Sequence, residues 1–284
     1  MQYLVLLLCC VLSTTKASVQ GAFSRRHVVN LADTSFFNSL IFLSSALLFL
    51  PNLFGSPWQI WPYAVAFGAF SMIFQLSYTK ALTLGNVSLT IMFANLSVVV
   101  PLIFSAIVYR EWPSPLQYVG IVLTLTALVI NTDFKSGGKK SKLWILLTTV
   151  ALVSGGLSNC VQKILSKGEF KQHTPAFVSA SYLVAAVIAF MVYLHVNRRE
   201  KKTYPTTPRV FLYALAVGVT LAVFQFIYNY AIASYPPAFV FPSYAGGTII
   251  VSALAGVILF KDKLSRKQLL SIVLGLIAVV LMNF

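Results

Sequence analysis

The chain has 284 residues, 58% of them hydrophobic and only 10% charged, with a mean hydropathy of +0.83. Water-facing globules carry about 25% charged residues, so a soluble domain is excluded. The formal net charge of +15 sits in short loops between apolar runs, the pattern that orients a membrane protein rather than one that binds nucleic acid.

Apolar runs of about twenty residues, long enough to cross a bilayer as helix, recur along the whole sequence. In hydrocarbon the backbone satisfies its own hydrogen bonds, so spanning segments are helices or closed barrels. Barrel strands are shorter and alternate, and these runs do neither. The predicted fold is all-α and polytopic, with ten transmembrane helices at 2–21, 34–53, 58–80, 87–109, 115–132, 143–165, 175–196, 208–232, 238–259 and 266–283.

The first run, MQYLVLLLCCVLSTTKAS, has no basic residue ahead of its apolar stretch, unlike a secretory signal, and reads as the first helix. Lys16 is the one basic residue set clearly within a predicted helix. About five positions from the predicted end, it is expected to snorkel to the interface; the sharper alternative is an anchor for an acidic group of a substrate. Gln20 follows in the same helix. Ser56-Pro57, Ser114-Pro115, Thr174-Pro175 and Thr207-Pro208 each place a hydroxyl before a proline at a helix start, where such residues cap well. Trp58 and Trp61 read as interfacial anchors.

Gln75 and Tyr78 share a face of the third helix, and Asn95 lies in the fourth with Pro101, expected to loosen it. A basic connection, 133–142, leads to the sixth helix, which carries Asn159 and Gln162. Tyr182 lies in the seventh. In the eighth, Gln225, Tyr228 and Asn229 stand at i, i+3 and i+4 on one face. The ninth holds Pro242, Tyr244 and many small residues that permit close helix approach. Amides facing lipid are costly, so these side chains are expected to face the bundle, as interhelical hydrogen bonds or as the lining of a wet cavity. Cys9, Cys10 and Cys160 have no metal spacing and read as small core side chains.

The sequence repeats. Glu111–Leu128 aligns with Asp262–Val279, and Ser-x-x-Gln appears in both (Ser114, Gln117; Ser265, Gln268), each a capping box. Gln75, Tyr78 and Ala81 align with Gln225, Tyr228 and Ala231, and Val19-Gln20 with Val161-Gln162. The matches are collinear and divide the chain into a first repeat, 1–132, and a second, 143–284. Five helices per copy make the second copy inverted. The loops and immediate helix ends after helices 1, 3, 5, 7 and 9 carry sixteen Lys and Arg, those after helices 2, 4, 6 and 8 only four. Such opposed charge bias is what an inverted-topology repeat predicts, and the positive-inside rule places both termini outside.

No catalytic constellation is present, so no enzyme is expected. The six acidic residues, Asp33, Glu111, Asp133, Glu169, Glu200 and Asp262, map to loops or helix ends. A carrier coupled to protons keeps an ionisable group within the membrane, and no carboxylate is available there. Exchange, facilitated diffusion or coupling through some other group is favoured.

Two stretches carry a family resemblance: YREWPSPLQYVGIVLTLTALVIN and LFKDKLSRKQLLSIVLGLIAVVLMN. Two five-helix copies, each closing on an acidic loop residue, Ser-x-x-Gln and a final apolar helix, resemble the drug/metabolite transporter superfamily, particularly its EamA-type members. Glu111 and Gly120 keep the family's form; Asp262 and Ser271 depart from it. The resemblance covers essentially the whole chain. It implies a carrier that works by alternating access around a cavity lined by helices 1, 3, 4, 6, 8 and 9. The proton-coupling glutamate that smaller relatives carry in their first helix has no counterpart here.

The expected function is secondary transport of a small polar or amphipathic metabolite (amino-acid-like, nucleoside-like or organic cation) across the plasma membrane. The expected substrate-binding residues are Gln75, Tyr78, Asn95, Gln162, Gln225, Tyr228, Asn229 and Tyr244. The expected partners are a small molecule and the bilayer, with no cofactor, metal or nucleic acid. The alternative is a non-transporting scaffold or receptor on the same fold. It predicts a dry, filled centre where a carrier has a wet cavity at Gln75, Tyr78, Gln225 and Tyr228.

Overall fold

Long apolar runs bounded by capping residues leave the backbone one way to satisfy itself in hydrocarbon, and the computed structural model takes it. Residues 2–27, 31–84, 90, 93–130, 142–200, 208–260 and 265–281 are described. They form α1 (Gln2–His27), α2 (Leu31–Leu48), α3 (Trp61–Leu84), α4 (Phe93–Tyr109), α5 (Pro115–Ile130), α6 (Lys142–Lys167), α7 (Thr174–Glu200), α8 (Pro208–Ser234), α9 (Pro237–Phe260) and α10 (Arg266–Leu281). Seven of these ten are long and apolar enough to span a membrane by themselves. The molecule is an integral, multi-pass helical membrane protein.

Helix ends explain where the predicted boundaries moved. α2 stops at Leu48, before a short 3-10 turn, Leu50–Leu53, that holds Pro51. Both capping boxes form. The Ser114 Oγ accepts from Gln117 N–H at 3.2 Å while Gln117 Oε1 accepts from Ser114 N–H at 3.0 Å; Ser265 and Gln268 repeat this at 3.2 and 2.8 Å. Two other expected caps do not form. Ser56 donates to the Leu53 carbonyl and Thr174 to the Lys171 carbonyl, because 3-10 turns, Trp58–Ile60 after Pro57 and Glu169–His173 before Thr174, occupy the entries to α3 and α7. Thr207 lies outside the described residues.

Pro101 marks a local change in α4, a tightening rather than the expected loosening. It cannot donate to the carbonyl four residues back, Ser97, and the helix tightens to 3-10 geometry over Leu96–Val98. Pro242 sits within α9, which continues as helix on both sides.

Packing joins the repeats. α2 lies against α7 and α8, α3 against α6 and α7, α1 against α8 and α9, and α10 against α5 and α9. Small residues permit the closest approaches. A Cβ on Gly218 of α8 would meet the Ile41 carbonyl oxygen at 2.5 Å and collide with Ser44 Oγ. Ser45 donates to the Gly218 carbonyl at 2.8 Å and Ser179 to the Ala46 carbonyl at 2.7 Å, so hydroxyls tie α2 to both neighbours. The largest apolar cluster spans α2, α3, α6, α7 and α8 around Phe37, Ile41, Met72, Phe177 and Tyr182. The three cysteines are buried and unbridged.

Two lysines sit differently from expectation. α1 runs on to His27, so Lys16 stands about three turns before the helix ends, not five residues. α6 runs on to Lys167, which draws Lys163 a full turn inside; Lys163 is 1% exposed. Lys16 is therefore not alone within the helices.

Candidate functional site

Alternating passes put the Gln2 end of α1 and the α2–α3, α4–α5, α6–α7 and α8–α9 connections on one face, called the first face. The opposite ends of these helices define the second face.

The seam between the repeats carries an uncharged polar and aromatic cluster. α8 presents Gln225, Tyr228 and Asn229, only 5%, 4% and 3% exposed, on one side. Asn229 Nδ2 donates to the Gln225 carbonyl at 2.9 Å, and the Tyr182 hydroxyl of α7 donates to Gln225 Oε1 at 3.0 Å. The Tyr228 ring packs on Tyr244 at 4.9 Å, Phe224 at 5.3 Å and Phe241 at 6.4 Å between centroids. Tyr244 of α9 then crosses to the first repeat, its hydroxyl donating to Ser13 Oγ of α1 at 2.7 Å. Cys10 Sγ donates to the Tyr244 carbonyl at 3.7 Å.

Four predicted residues, Gln225, Tyr228, Asn229 and Tyr244, thus form one contiguous group. The others are placed on separate elements. Gln75 and Tyr78 are half-buried on α3, with Tyr78 stacked on Phe74 at 5.5 Å. Phe74 in turn lies where a Gly155 Cβ would touch it, which brings this face of α3 to α6. Asn95 is half-buried at the tightened turn of α4. Gln162 is 2% exposed on α6. Two buried amide atoms, Gln162 Oε1 and Gln225 Nε2, have no hydrogen-bond partner among the described residues.

Packing is uneven along the seam. Toward the first face, Leu6, Val98, Leu102, Tyr228, Phe239 and Phe241 form a buried cluster across α1, α4, α8 and α9. Toward the second face, Lys16, Gln20, Gln75, Tyr78, Asn95 and Thr248 all keep partial exposure. Repeat symmetry is broken in the same sense. α6 packs against α8, while α1 makes no comparable contact with its counterpart, α3, among the described residues.

An ion-pair cluster that the sequence reading missed lies toward the first face. Arg110 ends α4 in the left-handed region (φ 56°) and turns the chain so that Glu111 faces α6. Its carboxylate lies 3.1 Å from Lys163 Nζ and 2.6 Å from Lys167 Nζ. Burial opposes the charge on Glu111, but the two lysines outweigh it and hold its pKa below the usual carboxylate range. Glu111 belongs to the first repeat and the lysines to the second, so the pairs bridge the repeats. The i, i+4 spacing of Lys163 and Lys167, one helix face, was the available signal. Asp262, the equivalent of Glu111, lies outside the described residues.

Among known proteins, the model of the EamA-like transporter family matches residues 3–132 and again 142–284, one match per repeat. No curated protein matches the chain in sequence. Of 28 matching chains among solved structures, one described only as "Crystal structure of protein" superposes with a TM-score of 0.79 at 14% identity. That match covers 99% of this chain and 95% of the other; at such identity it speaks for the fold.

Proposed function

The chain belongs to the EamA-like transporter family, and from that premise we propose that it is a secondary transporter of a small polar or amphipathic metabolite in the plasma membrane. The two repeats rock about the seam and expose a central site to each face in turn. The observation that carries this reading is the pair of buried, unpartnered amide atoms on Gln162 and Gln225. A buried amide left unsatisfied costs about 1–3 kcal/mol, and a polar solute or its accompanying water relieves that cost. Gln225, Tyr228, Asn229 and Tyr244 hold the substrate against the second repeat; Gln75, Tyr78, Asn95 and Gln162 complete the site. The Glu111 ion pairs, together with the apolar cluster, close the first face and leave the second accessible.

The dense ring packing of Tyr228, Tyr244, Phe224 and Phe241 favours a second reading, a non-transporting scaffold or receptor with a filled centre. Solute counterflow into proteoliposomes, run over a metabolite panel, separates the two. Transport predicts saturable counterflow of at least one solute, diminished by Gln225→Ala. The scaffold reading predicts none, from protein shown to be folded and inserted.

A further inference from the structure

Lys16 lies on the inward face of α1. Ser13 is bonded to Tyr244 and Val19 packs against the Phe37–Tyr182 cluster. At 3.6 residues per turn, Lys16 falls on the arc between these two. Leu6 and Cys9, 4% and 0% exposed, continue the same stripe, whereas Leu4, Leu7, Leu8 and Val11 on the outer side are 43–70% exposed. Lys16 thus points into the bundle, and yet it keeps accessible surface, so it borders open space. Its four-carbon stem does not span the roughly three turns to the helix end.

Among the described residues no acidic side chain pairs with it. Both ion pairs among the described residues are made by Glu111, with Lys163 and Lys167. Nor does the architecture require a cation there. The register that aligns Val19-Gln20 with Val161-Gln162 places Ser158 at the equivalent position of the second repeat. On the neighbouring helices, Tyr244 is bonded to Ser13 one turn from Lys16, and Gln225 Nε2 is buried and lacks an acceptor among the described residues. A lysine held within a membrane bundle without a counter-ion is a site for an anion.

We propose that Lys16 is an anion-binding subsite of the transport cavity. It pairs with the carboxylate, phosphate or sulfonate of an amphipathic organic anion whose apolar part lies against the Phe224, Tyr228 and Tyr244 rings. This rests on the transport reading and narrows it, since an organic cation is repelled at this site.

The test uses the full-length protein in phosphatidylcholine nanodiscs and reads binding by calorimetry. Phenylacetate, phenyl phosphate and benzenesulfonate serve as anionic probes, and phenylacetamide and phenethylamine as neutral and cationic counterparts. At least one anion binds about tenfold more tightly than phenylacetamide, the advantage expected of one charge-assisted hydrogen bond. Lys16→Met and Lys16→Gln abolish that advantage and Lys16→Arg retains it. The proposal is overturned if no anion binds, if the amide or amine binds as tightly, or if either neutral variant binds the anion like the wild type. Counterflow keeps the two readings apart. Transport confined to neutral or cationic solutes, unchanged in Lys16→Met, removes the subsite and leaves transport standing. Selective anion binding with no counterflow of any solute leaves the subsite and removes transport.

Discussion

Replacing Glu111 by glutamine removes the charge that two lysines share. The Lys167 arm is 44% exposed, and a pair open to water contributes only about 0–1 kcal/mol. The Lys163 arm is different, because Lys163 is 1% exposed and would be left buried without a counter-charge. Stranding one member of a buried pair costs about 3–5 kcal/mol; since Glu111 itself is a quarter exposed, the lower end, about 3 kcal/mol, applies. At roughly 2–4 °C per kcal/mol for a chain of a few hundred residues, E111Q lowers the melting temperature in detergent by roughly 6–12 °C, read from tryptophan fluorescence. K163M, which exchanges the buried cation for an apolar side chain of similar volume, shifts it by no more than about 2 °C. The double variant recovers most of the E111Q loss. A shift below about 2 °C in E111Q, or simple additivity of the two single changes, would refute a cross-repeat ion pair as the cause.

Four further outcomes follow. Because the folded-state pKa of Glu111 is depressed, its stabilisation is complete above the ordinary carboxylate pKa and is lost as pH falls through the lower folded value; that acid-side slope in melting temperature is absent in E111Q. G218A forces α2 away from α8, since the new methyl meets the Ile41 carbonyl, and costs about 1–3 kcal/mol, seen as lower melting temperature and yield; an unchanged melting temperature contradicts the close packing. S114A and S265A each remove one reciprocal cap and cost about 1 kcal/mol, with S114T largely restoring stability at its site. A cysteine at Trp112, which is 66% exposed beside α5, reacts with a membrane-impermeant maleimide on intact cells, whereas one at Lys139 reacts only after permeabilisation; the reverse pattern inverts the orientation.

Much of the architecture is legible in the sequence because hydrocarbon leaves the backbone so few choices. The ten helices follow from run length, and the repeated Ser-x-x-Gln forms the same reciprocal cap in both halves. Gln225, Tyr228 and Asn229 share a buried face as their spacing requires. Helix ends are less legible. Lys167 lies two residues beyond the predicted end of the sixth helix at 165, yet it continues the helix beside the Glu111 carboxylate. The Ser56 and Thr174 hydroxyls turn back to preceding carbonyls because 3-10 turns already occupy the entry to α3 and α7. The ion-pair cluster was hidden for a related reason: its partners are about fifty residues apart, and only the fold of α4–α5 against α6 brings them together. Gln75 and Tyr78 align with Gln225 and Tyr228, but the first pair is half-buried and the second buried. Sequence symmetry does not record which of two equivalent pairs is buried.

Movement of the two repeats against each other is tested most directly by tying them together. A Cβ placed on Gly247 of α9 lies 3.9 Å from the Cys10 Cβ of α1, within the range a disulfide spans. Gly247→Cys, with Cys9 and Cys160 replaced by alanine, is reconstituted into proteoliposomes and its solute counterflow is measured reduced, oxidised and reduced again. The account predicts saturable counterflow in the reduced protein, none after oxidation, and recovery with reductant. Counterflow that continues unchanged in fully cross-linked protein would contradict it.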